Sequence, residues 1–187
     1  MGYTWRHTAG LTSNVAQSDS AYGQPMSQEW GEIPPLPEVG LAESYYAQRV
    51  KDADRKGKHH AREAYKVGQY ITLGLNRRLE WEKKLRYFRH ALRSHCQPPP
   101  LPSEKLWMFY GQLADLVRQH AGAEALRLAS QEDDYWASQL RAGVPHSHIV
   151  GQAEIFFDRL LGLREERPDY LNVEDYEQLK ILRNQWL

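Results

Sequence analysis

The chain has one cysteine, Cys96, so an internal disulfide is excluded. It also lacks long apolar runs: its uncharged apolar stretches are a few residues, far short of the roughly 20 needed to span a bilayer. The opening Met1-Gly2-Tyr3-Thr4-Trp5-Arg6 has no apolar core of a secretory signal, and Arg6 stands where a myristoylation signal has Ser or Thr. These absences predict a cytoplasmic location and no membrane partner.

Chemical signatures are equally scarce. There is no Gly-x-Ser-x-Gly, no glycine-rich phosphate loop and no dinucleotide fingerprint. A carboxylate-bridged di-iron bundle needs Glu-x-x-His pairs, and the chain has none. His59 and Glu63 stand at i,i+4, His146 and His148 share a loop, and His90 and His95 lie five apart on different sides of a helix. None of these has zinc-site spacing. His95 and Cys96 are neighbours in sequence, and helical neighbours point apart, so they form no catalytic dyad. No catalytic residue, metal ligand or cofactor is predicted. Formal net charge is zero, which argues against the whole chain acting as a polyanion binder.

What the chain does have is helical periodicity. Its 187 residues, 41% hydrophobic and 26% charged, suffice for one packed domain plus a tail. Residues 1–37 are rich in Gly, Ser, Thr, Gln and Pro without periodicity, and are predicted to be a flexible arm carrying Trp5 and Trp30. Residues 38–187 are predicted to form a single helical domain. From Glu38, apolar and small residues recur mostly every three or four positions: Leu41, Tyr45, Val50 and Ala53, then Ala61, Ala64, Gly68, Ile71, Leu75, Leu79, Leu85, Phe88 and Leu92. Residues 38–96 therefore read as a long helical segment with a break or bend near Gly57. As one rod, residues 58–95 would be roughly 55 Å long. Residues 97–102 are a proline linker. In 103–187, Ser103 is an N-cap, and helices are expected to end near Gly122, at Gly143, before Pro168 and at the carboxyl terminus. No strand-length run alternates with period two. The expected fold is all-α: a long central helix with three to four shorter helices packed on it.

Leu140–Ile149 carries the Gly-Val-Pro pattern of a helix-turn-helix turn, but the following helix holds Phe156, Phe157, Leu160 and Leu161, which call for burial. An ordinary helix corner fits better. The two Pro-Pro-Leu-Pro tracts read as stiff connectors.

The zero net charge conceals a strong separation. Between Arg49 and His95 there are 14 Lys or Arg against 5 Asp or Glu, and the flanks carry the compensating acid. Either the acidic carboxyl-terminal helices neutralise this basic stretch, or its outward side follows a phosphate backbone through Arg77, Arg78, Lys83, Lys84, Arg86, Arg89 and Arg93. The abundance of aromatic residues (6 Trp and 11 Tyr) on amphipathic helices suits packing against other proteins. The function expected is a non-catalytic helical interaction or scaffold subunit with a protein partner or a second copy of itself, contacts being expected at Trp5, Trp30, Tyr45 and Trp81. Two alternatives remain open: a nucleic-acid-associated protein, and a helical enzyme or ligand-binding bundle whose site assembles only in space.

Overall fold

A computed structural model describes residues 32–187, and among these there are six helices and no strand. They are α1 (Glu43–Arg55), α2 (His59–Gly74), α3 (Trp81–His95), α4 (Glu104–Arg141), α5 (His146–Glu166) and α6 (Val173–Trp186). The expected all-α fold with one long helix is present. The greater part of the expected arm, with Trp5 and Trp30, lies outside the described residues. Its last part does not stand apart: Ile33, Pro34 and Pro35 border a cleft with α1 and α2, and Pro37 is buried.

The long helix is not where periodicity placed it. The basic stretch 38–96 is divided into α1, α2 and α3, and α4 is the rod. Gly57 does end α1. With φ of +64° it lets the Gly57 and Lys58 N–H groups bond back to the Asp54 and Ala53 carbonyls, satisfying groups a helix end leaves orphaned. The second break, after Gly74, was not expected. Asn76 makes it: its Oδ1 accepts from the Arg78 N–H at 3.0 Å, and its carbonyl accepts from the Leu79 N–H at 3.2 Å. A side chain that bonds the backbone two residues on competes with helix continuation. Gly74 then allows α3 to fold back closely, since a Cβ there would lie 2.6 Å from the Phe88 ring.

The expected break at Gly122 is absent. Gly122 lies inside α4, buried, and a Cβ at that position would overlap the carboxyl group of Asp175 on α6. This glycine serves close helix approach, and the alanines around it keep the helix continuous. The resulting 38-residue helix is about 57 Å long. It packs against α2, α3, α5 and α6, while α1 packs on α2, where Tyr46 fills the space over Gly68.

At Gly143 the expected corner forms. The Gly143 and Val144 N–H groups bond the Leu140 and Gln139 carbonyls at 3.0 Å each, and α5 then buries Ile149, Phe156, Phe157, Leu160 and Leu161. Val67 and Ile71 from α2, Leu85 and Phe88 from α3, and Leu113 and Val117 from α4 join the same core. Each such side chain contributes roughly 1.5–3 kcal/mol by leaving water. At the far end Trp136 is fully buried against Phe156, Phe157 and Trp186. Asp133 accepts the Trp186 Nε1–H at 2.6 Å, so one of the three consecutive acids of α4 fixes the carboxyl-terminal helix.

Candidate functional site

Charge within the core is organised as helix-to-helix ties. Glu63 on α2 is buried and receives His95 Nδ1 from α3 at 2.5 Å and Arg62 Nε at 3.0 Å. Burial by itself would push the Glu63 carboxyl up; His95 and Arg62 override it and hold the pKa below the ordinary value. His60, one turn earlier, lies 3.0 Å from the Tyr110 hydroxyl of α4 and is pushed towards its neutral form by burial and by neighbouring His59. Deeper along the bundle Lys84 of α3 pairs with Glu124 of α4, which also holds Arg127 at 2.7 Å. Burying an unpaired charge is prohibitive, so these partners fix the register of α2, α3 and α4.

This arrangement revises the expected basic surface. Lys84 is 1% exposed and paired with a carboxylate, so it is withdrawn from any surface contact. It falls on the inward side of α3 with Leu85 and Phe88. Arg89 is half-buried and 3.8 Å from Glu166 of α5; Glu82 in turn takes Arg159 of α5 at 3.0 Å. An open cleft of about 350 Å³ between α3 and α5 is lined by these groups together with Arg86, Trp81 and Asp158. Neutralisation by the carboxyl-terminal helices is thus real but partial. Arg77 and Arg78 stand exposed in the α2–α3 turn, and Lys83, Arg86 and Arg93 are exposed on the outward side of α3.

Of the aromatic residues expected to contact a partner, Trp81 packs on Phe156 at 5.5 Å and is half-buried, so it joins α3 to α5. Tyr45 is 38% exposed, with the Arg49 guanidinium 5.2 Å from its ring.

A more exposed apolar group lies at the start of α4. Leu101 is 80% exposed and held at φ +58°, a left-handed conformation costly for a side chain with a Cβ. Ser103 then caps α4, its Oγ accepting from the Leu106 N–H at 3.3 Å. In the next turn Trp107 and Met108 are 58% and 61% exposed. Gly111, one turn on, is also exposed, with open space where a Cβ would be. Trp107 and Met108 therefore flank bare helix backbone on the side opposite buried Phe109, Tyr110 and Leu113. The sequence signal was present: these two residues fall off the Leu106–Phe109–Tyr110–Leu113 stripe, on the face of an amphipathic helix where polar residues belong.

Comparison with family models, curated proteins and solved structures finds no match. Among the described residues no helix is long and apolar enough to cross a membrane.

Proposed function

We propose that this chain is a non-catalytic helical interaction subunit of a cytoplasmic assembly, docking a protein partner on the first turns of α4. The observation that carries this reading is the pair Trp107 and Met108, each more than half exposed on either side of Gly111. Trp and Met are enriched at protein interfaces, where an aromatic anchor beside a bare surface is the usual hot-spot arrangement. Strain at Leu101 points to the same place, because costly backbone conformations concentrate at functional sites. The other large exposed apolar residues, among them Tyr135, Ile155, Val173 and Ile181, are scattered over α1, α4, α5, α6 and the two ends of the described chain, and single exposed apolar side chains are ordinary on a protein surface. The non-catalytic part of the reading is supported by the buried ionisable groups, since Glu63, Lys84, His95 and Glu124 hold helices to one another. The cytoplasmic part is supported by Cys96, a single buried thiol that calls for no oxidising compartment.

Affinity purification of the full chain from its native cell, compared with a Trp107→Ser/Met108→Ser variant, tests this. The expected result is a stoichiometric protein bound to the first and at least tenfold less on the second. Equal recovery with both would refute the assignment of the surface.

A further inference from the structure

We infer that the outward face of α3 is a binding surface for single-stranded nucleic acid, separate from the proposed protein-docking turns of α4. The surface is the part of the basic stretch that internal pairing leaves over. Arg86 and Arg93 follow one another along the solvent side of α3, both exposed, with the exposed His90 between them. From Arg86 to Arg93 the helix rises about 10 Å, a span that a short run of backbone phosphates can follow, and with Arg77 and Arg78 it offers four guanidinium groups to a strand. Arg77 and Arg78 extend the positive charge past the start of the helix. Acid on this face is already engaged: Glu82 holds Arg159 at 3.0 Å, and Glu80 lies 3.9 Å from Lys83.

The positive groups also converge in space. His90 is held below the ordinary imidazole value first by partial loss of solvent around its ring, then by the neighbouring His95, Lys66 and Arg93. Lys66 comes from α2, so two helices contribute to one field. Beside it stand half-buried aromatic rings: Tyr70 lies 4.6 Å from the His90 ring and 6.1 Å from Tyr87. Partly exposed aromatic rings bordering a basic track are what unpaired bases stack on, and such stacking tolerates any base sequence. A membrane surface fits less well, since no large apolar side chain between Tyr45 and Leu101 is exposed to enter it.

The test is fluorescence anisotropy of the full chain with labelled 12-nucleotide oligo-dT and oligo-U, from 50 to 200 mM salt. Four phosphate contacts on a single strand give a log–log slope near −2.8, so affinity is expected to fall about 50-fold over that range. Arg86→Gln/Arg93→Gln removes two contacts and is expected to reduce that loss to about sevenfold. Tyr87→Leu is expected to weaken binding at least about fivefold while leaving the slope unchanged. A chain that binds neither oligonucleotide at 50 mM salt overturns the inference. So does a salt dependence that the arginine pair leaves unchanged, or binding to phosphatidylserine vesicles in preference to both oligonucleotides. None of these outcomes depends on Trp107 or Met108.

Discussion

His95 Nδ1 lies 2.5 Å from Glu63 Oε2, joining the last turn of α3 to the first turns of α2 at a place where both side chains are buried. Tyr70 stacks on the same imidazole at 5.4 Å. The contact closes the α2–α3 hairpin at the end opposite its turn, and the hairpin carries both the basic face and the Lys84 tie to α4.

Acid should therefore unfold the protein in two stages. His60 and His90 titrate below the ordinary histidine value of 6.5, so stability they contribute as neutral groups is lost as pH falls below about 6.5. Glu63 and Glu124 are lowered against the effect of their own burial, so their contribution is present above about 4.5 and is lost below it. Asp175, raised by burial and by Glu174, acts in the opposite direction. Urea melts from pH 8 to 3 are expected to show both declines, and Glu63→Gln is expected to shrink the lower one, leaving the share that Glu124 contributes. An unchanged lower decline in that variant would remove Glu63 from this role.

The buried Lys84–Glu124 pair gives a second expectation. Lys84→Ala leaves Glu124 with Arg127 alone and is expected to cost about 3–5 kcal/mol in a denaturant melt. Lys84→Met/Glu124→Leu replaces the pair by apolar groups of similar length, and is expected to recover most of that loss. A single variant as stable as the parent would show that the pair does not hold α3 to α4.

Gly122 and Asp175 give a third. Gly122→Ala places a methyl group where the Asp175 carboxyl lies, and is expected to destabilise by about 1–3 kcal/mol. In an Asp175→Ala background the same change is expected to cost much less, because the colliding group is gone. Additive losses in the double variant would place the strain elsewhere.

Much of this fold was legible locally. Gly57 and Gly143 end helices because a left-handed residue there satisfies the last carbonyls, and Pro168 and Ser103 mark boundaries by equally local chemistry. Asn76 and Gly122 were misleading for opposite reasons. Asn76 breaks the periodic run through its own side chain, which hydrophobic spacing does not register. Gly122 resembles a terminator, but its purpose is set by Asp175, 53 residues away. The basic face was legible in outline. Lys84 was not separable from its neighbours, since only the fold brings Glu124 to it. Trp107 and Met108 were masked by the stronger apolar stripe beside them.

Cys96 supplies a fourth expectation and a convenient probe. It is buried at the end of α3, and burial pushes its thiol up to about 12. Iodoacetamide at pH 8 is expected to leave the folded protein unmodified and to label it fully in denaturant, the labelling rate tracking opening of the α2–α3–α4 interface. Rapid labelling of the native chain would show that this end of α3 is open.

The proposed role of the α4 start is tested most directly by site-specific photo-crosslinking of the full chain in its native cell. Benzoyl-phenylalanine replaces either Trp107 or Gln119, the latter being an exposed polar position farther along the same helix. The expected result is one discrete protein adduct from position 107 and none from position 119. No adduct at 107, or the same adducts from both positions, would contradict the claim that this surface receives a protein partner.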